Sequence, residues 1–402
     1  MSSATAGVEA PPFDFLARDE GKEWLLFDCV KHSVEPVTED AVIMLERGGA
    51  LVRRIQRPAL PGALSAPLKL FVSVSNRCNL TCLHCMSDSS PAGRTEPTTD
   101  ELLTLIREAG ELGVFLVVVG GGEPLMRHDI WALVGAMRNE GMGVSLTTNG
   151  TIVRQRDLRG FKRHDVRVNV SLDGAEKNHD RIRGTVGSFQ RTIQGIRTML
   201  DAGITPTVRF TLMNSNLEDV DAVLDLCSEL GVPVKARRAK PAGRVIGTTD
   251  IITEGTPAYF DAVVKLNKAD HCGVEDLMNV EAGAKEPLLL SENDCGAGTR
   301  IMFVDEDGTV SPCTFLGDGF HAGRWTPGSL GDFWANAPVF EQMRNLPENK
   351  TCGSCSRHTA CHAECPAMRL HVNGSLDGDD PGCIKPLLVQ LGPTRRKGTP
   401  GV

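Results

Sequence analysis

Three cysteines lie close together in the stretch Cys78-Asn79-Leu80-Thr81-Cys82-Leu83-His84-Cys85. Their spacing is C-x3-C-x2-C, and the stretch follows a run at 68–75 that is typical of a strand. A cubane iron–sulfur cluster has four iron corners and is usually held by four thiolates. Three thiols therefore predict a cluster with one iron left open for another ligand. A zinc site completed by a distant residue is the alternative.

Length and composition set limits on the rest of the chain. It has 402 residues, of which 41% are hydrophobic and 23% charged, with a net charge of -8. This composition is typical of a globular protein, and the acidic balance argues against non-specific nucleic-acid binding. The longest strongly apolar run, 114–119, is too short to span a membrane, and no secretion signal is recognisable. We expect a cytoplasmic protein with no nucleic-acid or membrane partner.

The cysteines are unevenly distributed. Ten of the 13 fall into two groups, at 78–85 and 295–383, and Cys29, Cys227 and Cys272 stand outside them. In a reducing compartment, clustered thiols more often bind metal or carry out redox chemistry than form disulfides. The second group therefore predicts a second metal-binding region.

From 68 to about 240, strand-like and helix-like segments alternate. The predicted strands are 68–75, 114–119, 143–147, 166–171, 205–212 and 232–236, and the predicted helices are 98–112, 128–140, 188–202 and 217–230. Alternation of this kind predicts a parallel sheet with helical crossovers, hence an α/β fold. Six units favour an open, partial (β/α)6 TIM-like barrel over the full eight.

The segments on either side of this core differ in character. Residues 1–66 contain one strand-like run, 22–28, and one helical run, 38–46, and predict a short α+β leader. The region 295–385 is rich in Cys, Gly and Asp, so we expect it to bury little apolar surface and to depend on metal ligands. The predicted boundaries are 1–66 for the leader, 67–240 for the core, 241–294 for a bridging region, 295–385 for the cysteine-rich region and 386–402 for a disordered tail.

A glycine run, Gly120-Gly121-Gly122-Glu123-Pro124, follows the strand at 114–119. At the carboxyl end of a parallel strand, glycines let the backbone approach a ligand closely, although a plain turn is the alternative. Together with the cysteine motif one strand earlier, this run resembles the radical S-adenosylmethionine (radical SAM) superfamily. The resemblance implies that Cys78, Cys82 and Cys85 hold a [4Fe–4S] cluster whose free iron binds S-adenosylmethionine (SAM).

The resemblance also implies SAM contacts at the strand ends. Arg183 matches the arginine that pairs with the SAM carboxylate, a contact for which the guanidinium fork is suited. Asn214 matches a contact to the adenine or ribose, and His84 is expected near the adenine rather than as a metal ligand. The predicted SAM-binding set is Gly121, Gly122, Glu123, Pro124, Asn149, Ser171, Arg183, Asn214 and His84. Each could instead serve ordinary loop structure.

The second cysteine group resembles the SPASM extension of radical SAM enzymes, which carries two auxiliary [4Fe–4S] clusters; a zinc ribbon at 352–365 is the alternative. By resemblance, Cys352, Cys355, Cys361 and Cys383 would hold the distal cluster, and Cys295, Cys313 and Cys365 the proximal one. Two clusters need eight thiolates and this region has seven. One iron of the proximal cluster is therefore either open, or bound by a non-thiolate group, or bound by Cys272.

The segments 82–90, 114–124, 129–134 and 295–298 together look most like the mycofactocin maturase branch. Cys313 is followed by Thr314 where sulfatase-maturing relatives have an Asp, which argues against that activity. The resemblance implies an oxidoreductase: a flavodoxin- or ferredoxin-type donor supplies an electron, and SAM is cleaved to a 5′-deoxyadenosyl radical that takes a substrate hydrogen. The implied substrate is a small ribosomally made peptide, which is oxidised or cross-linked. The leader faintly resembles the peptide-recognition domain of other peptide maturases, and strands and a helix that only pack on the barrel are the alternative.

Two other functional classes remain open. The first is a dehydrogenase or epimerase acting on a sugar or aminocyclitol small molecule. An epimerase needs a hydrogen donor, for which Cys272 and Cys227 are candidates, although Cys227 also fits a buried helix position. The second is a non-enzymatic electron carrier or zinc-stabilised binding module.

Overall fold

The computed structural model describes residues 8–60, 62–94, 96–274, 295–346 and 365–383. Its strands are β1 (Phe15–Asp19), β2 (Trp24–Asp28), β3 (Ser33–Val37), β4 (Val52–Ile55), β5 (Lys69–Ser73), β6 (Leu116–Gly120), β7 (Gly143–Thr148), β8 (Arg167–Ser171), β9 (Thr207–Leu212), β10 (Val234–Arg238), β11 (Cys272–Val274), β12 (Ile301–Val304), β13 (Thr309–Ser311) and β14 (Gly323–Arg324). Its helices are α1 (Glu39–Arg47), α2 (Thr99–Leu112), α3 (Ile130–Asn139), α4 (Gln155–Arg163), α5 (Glu176–Arg183), α6 (Ser188–Asp201), α7 (Val220–Leu230), α8 (Pro257–Lys268), α9 (Leu330–Asn336), α10 (Pro338–Arg344) and α11 (Pro366–Asn373). None of these helices is long and apolar enough to cross a membrane.

The strands β5 to β10 form the centre of a ten-stranded sheet and lie side by side in chain order, all parallel. They correspond to the six predicted strands, and the predicted partial barrel is confirmed. Parallel neighbours bring their carboxyl ends to one edge, which we call the carboxyl edge of the sheet. The segments that leave β5 to β9 at this edge carry Cys78, Cys82, Cys85 and the predicted SAM-binding residues.

Local sequence accounts for the crossover helices. α2 begins with a capping box in which the Thr98 side chain and Glu101 bond each other's backbone N–H, and it ends at Gly113 with a left-handed φ of 85°. The predicted helices are present, whereas α4 and α5 were not predicted. Both are rich in charged residues, and α4 buries only Leu158 and Phe161 as large apolar side chains. Their apolar periodicity is too weak to be recognised.

The expectation that 295–385 would bury little apolar surface is wrong for its described part. Trp334 and Phe340 are fully buried, and Phe303 is 6% exposed. β12 pairs in parallel with β5 and so extends the core sheet, and β13 and β14 follow it in antiparallel order. The apolar residues come from several short elements, so they form a core in space without a periodic pattern in sequence.

The leader forms a sheet of its own in the order β3-β2-β1-β4, with α1 between β3 and β4. The predicted strand and helix are present, and three further strands were not predicted. The leader packs against the amino ends of the core strands: Arg18 Nη1 donates to the carbonyl oxygens of Pro67 and Gly113 at 3.1 and 2.7 Å. Phe27 stacks on Phe115, with ring centroids 5.4 Å apart.

Candidate active site

The cysteine loop, residues 78–85, leaves the carboxyl edge of the sheet after β5. Cys78 and Cys82 are 8% and 7% exposed and form a small buried cluster with Leu80, against which the half-buried Cys85 packs. The Cys78 N–H donates to the Ser90 carbonyl oxygen at 3.0 Å, which closes the loop. The three predicted ligands therefore face one small volume.

Each thiol of the cysteine loop has an N–H group close to its sulfur. Asn149 Nδ2 lies 3.9 Å from Cys78 Sγ, Arg183 Nη1 lies 3.7 Å from Cys82 Sγ, and the Ser89 N–H lies 3.3 Å from Cys85 Sγ. Burial raises the pKa of the Cys78 thiol to about 12 and also raises the pKa of Cys82. Thiolates here consequently require a bound cation, which deprotonates coordinating thiols. In the described part, no three His, Cys, Asp or Glu side chains are arranged to hold a single metal ion.

The glycine run packs directly on the backbone that leads into the cysteine loop. The Gly122 N–H donates to the Ser75 carbonyl oxygen at 2.6 Å, and the Glu123 N–H donates to that of Arg77 at 2.8 Å. A Cβ on Gly121 would lie 2.3 Å from the Ser75 oxygen, and one on Gly122 would lie 2.1 Å from the Arg77 oxygen. Close backbone packing thus explains both glycines, and their contact with SAM stays a prediction.

Glu123 holds the loop after β7 in place. Its buried carboxylate accepts from Thr148 Oγ1 and from the Asn149 N–H, both at 2.8 Å, and burial raises its pKa to about 7. Asn149 Nδ2 in turn donates to Asn79 Oδ1 at 2.9 Å. Glu123 therefore acts on the cysteine loop through Asn149, and the adjoining Pro124 begins a short 3-10 turn.

A buried cluster of charged and polar side chains faces the cysteine loop from β8 and α5. Asp173 is fully buried, and its Oδ2 lies 2.6 Å from Arg183 Nη2 and 3.3 Å from His84 Nε2. Although burial alone would raise it, the Arg183 guanidinium holds the pKa of Asp173 below its ordinary value. Burial lowers the pKa of His84 to about 4, so its imidazole is neutral at pH 7. This places a positive guanidinium and a neutral ring beside Cys82.

Four buried atoms of this cluster have no hydrogen-bond partner among the described residues; two of them are His179 Nε2 and Asp173 Oδ2, the latter being ion-paired with Arg183. The other two are Arg183 Nε and His84 Nδ1. An unsatisfied buried polar atom costs about 1–3 kcal/mol, and buried polar groups are normally paired. A polar ligand beside the cysteine loop would satisfy Arg183 Nε and His84 Nδ1.

The remaining predicted SAM contacts are placed differently. Ser171 is the last residue of β8 and is half-buried at the carboxyl edge. Asn214 follows β9, but its Nδ2 donates to the carbonyl oxygens of Thr249 and Ile251 at 2.7 and 3.1 Å. Its side-chain donor therefore holds the segment at 249–251, and its contact with SAM remains a prediction.

The comparisons with known proteins agree with this geometry. A family model described as the radical SAM superfamily matches residues 72–227, and one described as SPASM, an iron–sulfur cluster-binding domain, matches residues 295–356. The mycofactocin maturase MftC of Mycobacterium ulcerans is 31% identical over 333 residues, covering 80% of this chain and 89% of the relative. The chain belongs to the radical SAM superfamily. Its cofactors are [4Fe–4S] clusters and SAM.

The chain is also similar to radical SAM proteins with other names. The AdoMet-dependent heme synthase of Methanosarcina barkeri is 30% identical over 347 residues, covering 80% of this chain and 97% of the relative. The crystal structure of Streptococcus suis SuiB bound to its precursor peptide SuiA matches with a TM-score of 0.68 at 18% identity, covering 92% of this chain and 98% of that chain. The second similarity shows a shared fold.

The buried thiols and the unpaired nitrogens fit the cofactors of a radical SAM enzyme. A [4Fe–4S] cluster on three thiolates keeps one iron free, and the carboxylate of SAM is an acceptor of the kind that Arg183 Nε lacks. His84 points its ring at Asp173 rather than joining the thiols. The prediction that His84 packs beside the ligand and does not bind metal is consistent with this position.

The auxiliary cysteines of this radical SAM chain are partly described. Cys313, Cys365 and the half-buried Cys295 share one apolar cluster. The Cys365 N–H donates to Asp380 Oδ2 at 3.1 Å, and the Cys383 N–H donates to the Asp380 carbonyl oxygen at 3.0 Å. Cys352, Cys355 and Cys361 lie outside the described residues. The predicted proximal ligands are therefore together, and Asp380 ties Cys383 to them.

The structure does not bring the two candidate hydrogen donors to the cysteine loop. Cys227 lies on α7, and Cys272 begins β11, opposite Val234 at the amino end of β10. Burial raises the pKa of both thiols to about 12. Their position at the end of the sheet opposite the carboxyl edge gives no support to a role in hydrogen transfer.

Sequence reasoning missed three residues of this radical SAM site. Arg244 donates from its backbone N–H to the Cys85 carbonyl oxygen at 3.1 Å, Glu306 accepts from Asn76 Nδ2 at 2.8 Å, and Asp173 pairs with Arg183. Asp173 stands in a strand-end motif and could have been found as the residue that orients Arg183. Arg244 and Glu306 gave no signal, because they reach the cysteine loop and the residues that flank it from remote segments.

Proposed function

We propose that this chain is a radical SAM oxidoreductase that oxidises or cross-links a ribosomally made peptide. The observation that carries the proposal is the pairing of Asp173 with Arg183 beside Cys82, which leaves Arg183 Nε buried and unpaired among the described residues. The similarity to a mycofactocin maturase over 80% of the chain supports the choice of a peptide. The peptide-bound SuiB structure is consistent with it.

Each residue at the carboxyl edge has a proposed task. Cys78, Cys82 and Cys85 hold the cluster, Arg183 Nε pairs with the SAM carboxylate, and Asp173 keeps the guanidinium oriented. Gly121, Gly122, Glu123, Pro124, Asn149, Ser171, Asn214 and His84 complete the proposed SAM site. When bound, the cluster would supply an electron, and SAM would supply the adenosyl radical that takes a substrate hydrogen. The protein binds and orients the substrate and the cofactors, and it excludes water from the site.

We assign the auxiliary ligands as the cysteine pattern suggests. Cys295, Cys313 and Cys365 hold the proximal cluster, and Cys352, Cys355, Cys361 and Cys383 hold the distal one. An auxiliary cluster would accept the electron left on the substrate, so that the net reaction is an oxidation. The initial electron comes from a flavodoxin- or ferredoxin-type donor.

The leader supplies a surface that suits a peptide. β3 is an edge strand of the leader sheet, paired with β2 on one side only within the described residues. An edge strand offers backbone N–H and C=O groups to which an extended peptide can add. We propose that residues 1–66 recognise the peptide, and that the core and the cysteine-rich region, with the boundaries given above, carry out the chemistry.

The test is anaerobic reconstitution followed by activity measurement. About twelve irons per chain support three clusters, whereas about four leave only the SAM cluster. With SAM and dithionite, the wild type should form 5′-deoxyadenosine, and a variant with Cys78, Cys82 and Cys85 changed to Ala should not. Mass spectrometry of short peptides encoded near the gene should then show a mass change.

The relatives named heme synthase make a haem precursor the second candidate substrate. Such precursors, together with sugars and aminocyclitols, should be offered in parallel with the peptides. Conversion of a haem precursor or a sugar without any peptide product would overturn the peptide proposal and leave the radical SAM activity intact. Absence of 5′-deoxyadenosine from fully reconstituted protein would overturn both.

A further inference from the structure

The predicted proximal auxiliary cluster has three cysteines for four iron corners. Cys313 and Cys365 are each 8% exposed, and Cys295 packs against the same apolar cluster. Cys272, the further thiol that the sequence offers, lies beside the amino end of β10. The Asp380 carboxylate instead ties Cys365 to the carboxyl end of that strand. The fourth corner is therefore open or takes a ligand that is not a thiolate.

One face of the hairpin formed by β12 and β13 is turned towards these three cysteines. Antiparallel partners place their side chains on the same face of a sheet, so Ser311 shares a face with its partner Phe303. Phe303 packs in the apolar cluster that contains the three cysteines. The next pair along the hairpin, Val304 and Val310, packs in the main core on the other face. Ser311 therefore lies on the face of the auxiliary cysteines.

Ser311 is also close to Cys313 along the chain. Only Pro312 separates them, and Cys313 has an extended backbone, with φ of -161° and ψ of 126°. Cys313 belongs to the same apolar cluster as Phe303, the partner of Ser311. The hydroxyl and the thiol of the sequence Ser311-Pro312-Cys313 are therefore on one side of the hairpin.

Ser311 is 0% exposed, and its Oγ has no hydrogen-bond partner among the described residues. A buried hydroxyl normally has a partner, because leaving it unpaired is costly. Within the described part, the same condition holds for Ser65, Ser89 and Ser215, none of which is within two residues of a predicted auxiliary ligand. Ser311 is therefore the hydroxyl to which an auxiliary cluster can supply the missing partner.

Asp380, the carboxylate that contacts the auxiliary cysteines, is already engaged. Its Oδ1 accepts from Arg238 Nη1 and from the Gly382 N–H, both at 2.7 Å. Its Oδ2 accepts from Arg238 Nη2 at 2.9 Å and from the Cys365 N–H at 3.1 Å. Each oxygen thus has two donors, and binding iron would break a buried ion pair, which is costly.

Asp305 is on the same hairpin but lies nearer to its tip. Its N–H donates to the Thr309 carbonyl oxygen at 2.9 Å, so it stands opposite the first residue of β13. Thr309 is two residues farther from Cys313 than Ser311 is, and residues two apart on a strand are separated by about 7 Å. Of the two oxygen donors, Ser311 is therefore the one beside the cysteines.

We propose that Ser311 Oγ is the fourth ligand of the proximal auxiliary cluster, which would then be held by three thiolates and one alkoxide. The inference rests on the proposed function, because it completes the ligand set that was assigned there to Cys295, Cys313 and Cys365. On ligation an Fe–O bond forms, the hydroxyl proton passes to solvent, and no electron is transferred. A cluster with four protein ligands has no iron open to a substrate, so this cluster serves electron transfer alone.

The test asks whether the proximal cluster has an open iron. The full chain with Cys78, Cys82 and Cys85 changed to Ala lacks the SAM cluster, whose own open iron would interfere. This background chain should hold about eight irons in two auxiliary clusters. After reduction with dithionite and addition of ¹³C-cyanide, pulsed electron paramagnetic resonance should show no ¹³C coupling. Adding Ser311→Ala should open the iron, and a ¹³C coupling from one bound cyanide should appear.

A matched control removes a hydroxyl from the same strand. Thr309→Val in the background chain should show no ¹³C coupling, like the background chain itself. Ser311→Cys should keep the iron closed to cyanide and change the resonance signal of the reduced cluster, because ligand identity sets the electronic properties of a cluster. If Ser311→Ala lost the proximal cluster, its retention in Ser311→Cys would still identify the position as a ligand, and its loss in both variants would overturn the proposal.

Two further results would overturn the assignment of Ser311. One is a ¹³C coupling as strong in the background chain as in Ser311→Ala, which would mean that the iron is open in the wild type. The other is no coupling in Ser311→Ala with about eight irons bound, since another group would then fill the corner. Fewer than about eight irons in the background chain would instead contradict the two auxiliary clusters of the proposed function, and with them the ligand.

Discussion

Arg244 Nε donates to the carbonyl oxygen of Cys82 over 2.8 Å, although 162 residues separate the two in sequence. The same guanidinium donates from Nη1 to Asp88 Oδ1 at 2.8 Å and to the Ser89 carbonyl oxygen at 2.9 Å. One side chain of the bridging region thus fixes both halves of the segment that carries Cys82 and Cys85. The chain beyond the core strands therefore takes part in building the cluster site.

Replacing Arg244 should loosen this segment. Arg244→Gln removes the charged donor, and hydrogen bonds to charged groups contribute about 1.5–3 kcal/mol each. We expect faster loss of iron to a chelator and an altered electron paramagnetic resonance signal of the reduced cluster. Arg244→Lys should be intermediate, because an ammonium cannot reproduce the guanidinium fork. Arg159→Gln, at an exposed position on α4, is the control, and iron retention equal to the wild type in Arg244→Gln would contradict the proposed role.

The glycine run offers a pair of neighbouring substitutions with opposite expectations. Gly122→Ala places a Cβ 2.1 Å from the Arg77 carbonyl oxygen, so the backbone beside Cys78 must move. Overpacking of this kind costs typically about 1–3 kcal/mol. Gly120→Ala meets nothing within 4 Å and should be tolerated. The melting temperature and the iron content of both variants are measured. If Gly122→Ala matched Gly120→Ala in both quantities, the backbone at Arg77 would accommodate the added Cβ without loss of stability.

The buried pair of Arg238 and Asp380 links the core sheet to the auxiliary cysteines. Arg238 Nη1 and Nη2 reach the two Asp380 oxygens at 2.7 and 2.9 Å, and both side chains are buried. Asp380→Asn removes the negative charge of this buried pair, and breaking a buried ion pair costs about 3–5 kcal/mol. We expect lower thermal stability and loss of auxiliary iron, with iron at Cys78, Cys82 and Cys85 retained.

The control for this pair is one residue away. Asp379 is exposed, and Asp379→Asn should leave stability and iron content unchanged. Mössbauer spectroscopy of both variants separates the iron populations. If Asp380→Asn kept every cluster and the wild-type melting temperature, the pair would not anchor Cys365 and Cys383.

The free energy of unfolding should depend on pH through His32, which lies at the interface between the leader and the core. Its Nε2 lies 2.8 Å from Arg138 Nη1, and burial followed by the charges of Arg138 and Arg167 lowers its pKa to about 3. The unfolded chain takes up this proton near pH 6.5 and the folded chain does not, so the stabilisation is present above pH 6.5 and is lost as the pH falls towards 3. The slope for one group is at most about 1.4 kcal/mol per pH unit.

His32→Gln should make the free energy of unfolding depend less on pH in this range. The measurement is the midpoint of urea unfolding between pH 7 and 4.5, a range in which the wild type should lose stability faster than the variant. His371→Gln changes an exposed imidazole and should leave the wild-type slope unchanged. If stability fell equally with pH in the wild type and in His32→Gln, protonation of this imidazole would not be coupled to unfolding.

Much of the core could be predicted because its signals are local. The strands β5 to β10 were recognised from apolar runs, and their order follows the chain, so the residues after each strand had to meet at one edge. The helices α4 and α5 were missed because their faces carry mostly charge. The apolar core around Trp334 was missed because its members come from short elements that meet only after folding.

The amino-acid sequence by itself determined the cluster chemistry of this protein. Ligand spacing within one loop and motifs at successive strand ends are properties of neighbouring residues, and they survive without knowledge of the fold. Only the tertiary structure decided how that loop and the auxiliary cysteines are held. Arg244, Glu306 and the pair of Arg238 and Asp380 are charged residues of a kind common on surfaces, and they acquire their partners only when segments far apart in sequence are packed together. For Glu306, Arg238 and Asp380, burial then makes those partners obligatory, because an unpaired charge inside the protein is costly.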